Sequence, residues 1–465
     1  MNAKPKVGVL MTLLELYRNA HPEMPAKFGE MWRGFIADAV GDAAELHFSE
    51  VAHTSAEVAA EVTACEEAGC DLLVVLPMAY AASGSARDAL AATPLPLLVL
   101  STTRDATLPH DMSGDHIMAN HAMHGVQDLA NVLARAGRDF ELVAGHHADS
   151  AFRERLRAVV KAAAGAAFLR EGTAGRIGEP FEGMLDFSFD PEESNEHLGF
   201  EVEGVDPAEL AGFAGAVTDD EAARMAEWAR GRFELGADLT DDELLTSARW
   251  SLGLENLVEA KGLGAFSMNF LAFAAVGAGT MPFLGASRLM SRGVGYAGEG
   301  DVLTAALGAA VARVAAGEAT FTEMFCPDYA RDEVLLSHMG ECNFELANAS
   351  RPVKLVAKPF NYGECARPAV PVFQLRPGTV TLASLTEWPD ESFRIVAARC
   401  EIIDAPEHAN LQSPHSRISF GRALGGFLED YSRAGGTHHL ALGYGDLVRE
   451  FRSLARLCRI GFVEV

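Results

Sequence analysis

The chain is poor in the features that mark several common functions. It has no dense run of lysine and arginine, and 65 acidic against 38 basic residues leave a formal charge of −27. A phosphate backbone needs a positive face, so no nucleic-acid partner is expected; the acidic balance serves solubility. The seven cysteines, at 65, 70, 326, 342, 365, 400 and 458, are odd in number and form no Cys-x-x-Cys pair. That pattern suits reduced thiols and a cytoplasmic location, and it argues against a thiolate zinc site. Residues 266–289 are long enough to cross a bilayer, but Asn269, Pro282 and Arg288 interrupt them around a glycine-rich centre. They read as a buried segment, with no membrane partner. The short apolar run 7–14, closed by Glu15, reads as a first strand and not as a secretory signal. Internal repeats and low-complexity tracts are also lacking.

What is present is ordinary globular composition over 465 residues, 49% hydrophobic and 22% charged. This is more than one core usually holds, so two or three domains are expected. From residue 7 to about 165, apolar strands at 7–10, 45–48, 71–76, 97–100 and 141–144 alternate with helical stretches at 28–39 and 56–68. That alternation predicts a parallel sheet covered on both faces, with ligand-facing loops at the carboxyl ends of its strands. Those loops are rich in histidine: His110, His121, His124, His146 and His147. Residues 170–220 read as an acidic, irregular entry to a second domain, with Asp186, Asp190, Glu192, Glu193 and Glu196 on exposed turns. Helices are expected at 219–235 and 241–261. Past residue 317 the chain is strand-rich, at 353–357, 370–375, 379–384 and 393–402. The fold class is therefore α/β in three domains. Doubly wound parallel-sheet domains over 1–168 and 169–317 precede a mixed or antiparallel β-rich domain over 318–465.

The chemistry-bearing residues lie in the second half. Glu299 sits in Gly295-Tyr-Ala-Gly-Glu-Gly-Asp301, which reads as a glycine-rich loop opening a helix near Val302. Glu323 follows Thr320-Phe321-Thr322. His338 ends an apolar run, and His438-His439 follow Gly435-Gly436-Thr437. Taken singly these have bland explanations: a helix-terminal acid, an exposed acid, a structural imidazole, a solvated turn. Taken together, two carboxylates and two imidazoles suit a borderline divalent ion that keeps positions open for substrate oxygens. On a strand, adjacent histidines point to opposite faces, so one of the pair, preferably His439, should face an ion.

These segments resemble the L-arabinose isomerase family, and more distantly L-fucose isomerase. The likeness runs through Arg288-Leu-Met290, Gly293, Gly295–Asp301 with Thr304–Leu307, Phe321-x-Glu323, Ser337-His-Met-x-Glu341, Thr379-x-x-x-Ala-Ser-Leu385 and Gly435-Gly-x-His-His439. In the first domain it includes Asn120-x-x-x-His124-Gly125 and Gly145-His146. The resemblance implies an aldose–ketose isomerase with one divalent ion, usually Mn²⁺ (Mg²⁺ or Co²⁺ being possible). Glu299, Glu323, His338 and His439 would hold the ion, and Glu299 and Glu323 would double as acid and base. It also implies a small sugar substrate and a homo-oligomer, hexamer or tetramer, in which His124 reaches a neighbour's site. His438, His124, Leu14, Leu16 and Phe270 are the candidate substrate contacts. The chain departs from the family at Met11-Thr-Leu-Leu-Glu-Leu-Tyr17, where Leu14 replaces a glutamine that would touch sugar hydroxyls. A metal-dependent epimerase and a non-catalytic sugar-binding relative are the alternatives.

Overall fold

In a computed structural model the chain is described over residues 4–191, 198–361, 365–389 and 392–465. It divides into two compact units, Ala3–Ala166 with Arg452–Arg459 and Ala167–Phe451 with Ile460–Val465. The first unit holds strands β1 (Lys6–Thr12), β2 (Glu45–Ala52), β3 (Leu72–Pro77), β4 (Leu97–Ser101) and β5 (Glu141–Ala144). They form one parallel sheet in the order β2-β1-β3-β4-β5. Its central strands are continuous apolar runs because both faces are covered; all six residues of β3 are buried. The covering helices start on strong local signals. The helix Ser55–Glu67, for example, opens on a reciprocal capping box between Thr54 and Glu57.

The second unit contains two main sheets. Strands β6 (Thr173–Ile177), β7 (Glu201–Val205), β9 (Ala265–Met268) and β10 (Gly295–Gly298) pair in parallel in the order β10-β9-β6-β7. The remaining strands are β8 (Glu234–Leu235), β11 (Ala319–Asp328), β12 (Glu333–Ser337), β13 (Lys354–Ala357), β14 (Ala369–Val372), β15 (Gly378–Trp388), β16 (Ser392–Ile403), β17 (His415–Ser419), β18 (His439–Tyr444) and β19 (Gly461–Glu464). β14, β13 and β8 make a small sheet. Six others run antiparallel in the order β15-β18-β11-β12-β17-β16, and β15 pairs back onto β16 to close the ring. Closure removes the exposed edges that an open sheet would present. β19 adds in parallel to β16. An apolar cluster including Leu336, Val380, Leu382, Val396, Ile418 and Leu442 fills this region, and full burial of each such side chain contributes roughly 1.5–3 kcal/mol. The expected α/β class, with two parallel sheets and an antiparallel β-rich C-terminal region, is the one observed.

Three local expectations are corrected. Residues 170–220 are not irregular: they contain β6, β7 and the helix Pro207–Ala216. Their glycines and charges hide strands that are only half buried. Of the acids there, Glu192, Glu193 and Glu196 lie outside the described residues, and Asp190 is exposed. Asp186 is engaged in the site described below. The glycine-rich segment 295–298 is a buried strand and not a loop. Gly295 is small because the following helix crosses it, and a Cβ there would lie 2.1 Å from the Ala305 carbonyl oxygen. That helix, Val302–Val314, is capped by Asp301, whose carboxylate accepts from the Thr304 N–H at 2.8 Å; Glu299 is not its cap. The apolar stretch 266–289 divides into β9, the helix Phe270–Ala275 and the helix Phe283–Ser291. Among the described residues no helix is long and apolar enough to cross a membrane.

Candidate metal centre

The register of three antiparallel strands assembles most of the site. On β11, Glu323 lies directly opposite His439 of β18 on one side and Ser337 of β12 on the other, so His338, one residue beyond Ser337, emerges at the same level. Glu299 arrives from the other main sheet, immediately past the carboxyl end of β10, where open parallel sheets place ligands. Its backbone is held in the left-handed region at φ 65°, which costs a non-glycine residue roughly 1–2 kcal/mol. Two hydrogen bonds support that conformation: its N–H donates to the Met268 carbonyl at 2.7 Å, and its own carbonyl accepts from the Phe181 N–H at 2.8 Å. Strain so buttressed is typical of functional positions. Gly298, just before it, has a bare Cα because a Cβ would stand 2.9 Å from His338 Cε1.

The side chains converge on Glu323. Its Oε1 lies 3.0 Å from His439 Nε2, 3.7 Å from His338 Nε2 and 3.8 Å from His438 Nε2, and His439 Nε2 is also 3.0 Å from Glu299 Oε2. Ligand atoms of Glu299, Glu323, His438 and His439 all fall within 4.8 Å of one another. This quartet differs from the expected ligand set in one imidazole: it contains His438, and His338 stands beside it. The strand-alternation argument does not separate His438 from His439, because β18 begins only at His439.

Behind each imidazole stands a carboxylate. His439 Nδ1 donates to Asp301 at 2.8 Å, His338 Nδ1 to Glu341 at 2.9 Å, and His438 Nδ1 to Asp186 at 2.7 Å. A carboxylate acceptor holds the proton on Nδ1 and turns Nε2 toward the site, the arrangement that orients histidine ligands around metals. Aromatic rings complete the packing of His439, with Phe187 stacked on its face at 5.3 Å and Phe321 edge-on at 5.0 Å. Tyr296 donates its hydroxyl to Glu341 at 2.5 Å. Asp301 and Glu341 stand inside the motifs with no role assigned by residue order, and Asp186 lies on an exposed turn, as expected, while bonding His438. The available signal was their fixed spacing, two residues after Glu299 and three after His338.

Burial and charge oppose each other here. Burial alone would raise the Glu299 carboxyl, but the His439 hydrogen bond and the charges of His338 and His439 outweigh it and hold the group below its usual value. Burial would likewise raise Glu341, yet the His338 charge and hydrogen bond pull it down to about 2. The imidazoles move the other way. Burial disfavours their charged forms, but Glu341 lifts His338, and Asp301, Glu299 and Glu323 lift His439 well above the ordinary histidine range. Four carboxylates, Glu299, Glu323, Asp301 and Glu341, are at most 9% exposed, against two comparably buried imidazoles. Even with both rings protonated the cluster keeps an excess of buried negative charge, which a divalent cation is suited to neutralise.

Phe270 is buried against Phe181 and Phe360, with ring centroids 5.8 and 6.1 Å away. Leu14, Leu16 and His124 belong to the first unit. There the Leu14 N–H donates to the Tyr80 carbonyl at 2.9 Å, Leu16 is exposed, and His124 stacks on the Tyr80 ring at 4.5 Å.

Comparison with known proteins agrees with this architecture. Models of the L-arabinose isomerase N-terminal, central and C-terminal domains match residues 35–171, 188–317 and 318–461 in turn. The chain belongs to the L-arabinose isomerase family. Among curated relatives, the L-arabinose isomerase of Erwinia tasmaniensis is 27% identical over 384 residues, which cover 80% of this chain and 75% of that one. Those of Klebsiella pneumoniae and a Nocardioides species are 27% and 29% identical, covering 78% and 75% of this chain and 74% and 70% of theirs. In this chain Glu299, Glu323, His438 and His439 form a cluster consistent with a divalent metal.

Proposed function

We propose that this chain is a metal-dependent aldose–ketose isomerase acting on a free sugar, with a pentose as the first candidate and Mn²⁺ as the ion. The observation that carries this reading is the convergence of two buried carboxylates and carboxylate-backed imidazoles on one point, in a chain of the L-arabinose isomerase family. Glu299, Glu323, His338 and His439 would hold the ion. His338 is preferred to His438 as the second imidazole because it is sealed from solvent and backed by the buried Glu341, whereas the His438 side chain is 42% exposed. When bound, a divalent cation supplies Lewis-acid polarisation of the sugar's carbonyl and adjacent hydroxyl.

The protein's own groups then move the protons. Interconversion shifts one hydrogen between C1 and C2, which requires a base at carbon and a proton donor at oxygen. Glu299 and Glu323 fill these roles as a pair. One carboxylate takes the proton from carbon while the other serves the oxygen, and the neighbouring imidazoles favour the ionised form of Glu299 against its burial. Glu299 is pre-aimed by its strained backbone, and Glu323 is fixed by the strand register. Phe187 and Phe321 keep water from the His439 ring. His438, on the solvent side, contacts substrate.

The same reading carries a homo-oligomer, hexamer or tetramer, in which His124, Leu14 and Leu16 serve substrate binding, and a cytoplasmic location. The Leu14 departure points to a sugar preference different from that of the relatives. The test is a panel of aldoses, L-arabinose included, incubated with and without Mn²⁺ and analysed for products. Ketose formation that depends on Mn²⁺ is the expected result. A second aldose would mean an epimerase, and no product from any sugar would leave a binding protein.

A further inference from the structure

The three imidazoles around Glu323 are not equivalent. His338 and His439 are sealed and backed by carboxylates that are themselves buried, whereas the His438 side chain is 42% exposed and its partner Asp186 is 39% exposed. Asp186 comes from the segment that follows β6 and returns across the C-terminal sheet. A single oxygen, Oδ2, accepts both from the His438 backbone N–H at 3.0 Å and from its ring Nδ1–H at 2.7 Å. One acceptor gripping the main chain and the ring of the same residue restricts both torsions of that side chain. The segment is itself anchored: Thr386 Oγ1 donates to the Asp186 carbonyl at 3.5 Å, and the next residue, Phe187, stacks on His439.

This grip has a chemical consequence. Accepting from Nδ1–H, Asp186 turns the opposite ring nitrogen, Nε2, toward Glu323. Nε2 stands 3.8 Å from Glu323 Oε1, too long for a direct hydrogen bond. That gap is open to a hydroxyl group. Because this is the solvent-facing imidazole of the three, a ligand arriving from solvent meets it first. A hydroxyl of a polyhydroxylated substrate fits, donating to Nε2.

We propose that Asp186 is a positioning residue that sets His438 as an acceptor for one substrate hydroxyl, making the pair a determinant of which sugar is taken. The assignment rests on the isomerase reading above. It makes His438 a substrate contact and leaves the ion to the sealed groups. Loss of one such hydrogen bond should weaken binding about tenfold.

The test uses the Mn²⁺-loaded full chain, pentitols (arabinitol, ribitol and xylitol) as non-reacting probes, and ¹⁵N spectra of the histidine rings. In wild type the His438 ring is expected as the Nδ1–H tautomer, with at least one pentitol bound. In Asp186→Ala that tautomer signal is lost and the affinity for the bound pentitol falls about tenfold, while the Mn²⁺ affinity stays within about twofold. Asp186→Asn, whose amide oxygen still accepts from Nδ1–H, restores most of the pentitol affinity. Unchanged pentitol affinity in Asp186→Ala, a parallel loss of Mn²⁺ affinity, or no pentitol binding by wild type overturns the proposal. Failure of the isomerase reading is registered separately, as absent ketose formation by the Mn²⁺-loaded wild type.

Discussion

Both units of this chain gather histidines, the first beside a parallel sheet and the second on antiparallel strands, yet they treat them in opposite ways. In the first unit, His121 meets the Tyr17 hydroxyl at 3.0 Å, His147 packs edge-on to Trp32 and Phe35, and His146 faces the Arg104 carbonyl. Burial is the leading influence on His121 and His147, and both are pushed below the ordinary imidazole value. In the second unit, His338 and His439 are more deeply buried and yet pushed above it, because carboxylates contact both ring nitrogens. Clustered histidine alone therefore marks nothing. A buried imidazole with an acid behind it and acids before it is the arrangement that suits a cation.

Four outcomes would sharpen or break that contrast. The largest effect is expected from Glu299→Gln, which removes an acid–base group and a candidate ligand. Turnover of the responsive aldose should fall about 10³-fold or more, with circular dichroism unchanged. Next is removal of the ion. If the second unit's cluster holds it, Mn²⁺ at a hundred times its Kd should stabilise the chain by about 2.7 kcal/mol over the chelated protein in denaturant titrations. Asp301→Asn should then weaken Mn²⁺ binding roughly 10–100-fold. Asparagine caps helices as well as aspartate does, so the helix Val302–Val314 keeps its start, and a calorimetric titration reads the missing charge behind His439.

The smallest effect concerns the first unit, where the notable carboxylate pairs with arginine instead. Hydrogen bonding from Arg18 outweighs burial at Glu57 and, with the His53 and Thr54 N–H groups, holds its carboxyl at about 2. A depressed folded-state value stabilises the protein above the ordinary carboxylate value of 4.5, and this contribution is lost as pH falls from there through about 2. The pair is partly exposed, so the change should be modest. Acid unfolding curves of Glu57→Gln should show a shallower dependence than wild type across that window.

Much of this was legible from residue order. Strands such as β1, β3 and β4 have continuous apolar centres, and the helix starts at Thr54, Thr218 and Thr240 carry capping boxes, so the first sheet and several helices could be placed directly. Glu299, Glu323, His338 and His439 stood out through motifs. What could not be read was pairing. Nothing in the sequence states that Glu323 falls opposite His439, or that Asp186 bonds a histidine 252 positions away. β6, β7 and β10 escaped because glycine and charge mask strands of only four or five residues. The role of Asp301 was hidden for a related reason. It serves a helix cap through one oxygen and an imidazole through the other, and only the first is local.

The most direct measurement is anomalous diffraction at the manganese edge from crystals soaked in Mn²⁺. One peak per chain is expected, within bonding distance of Glu299, Glu323, His338 and His439, with His438 still bonded to Asp186. A peak among the histidines of the first unit, or none near Glu323, would contradict the account.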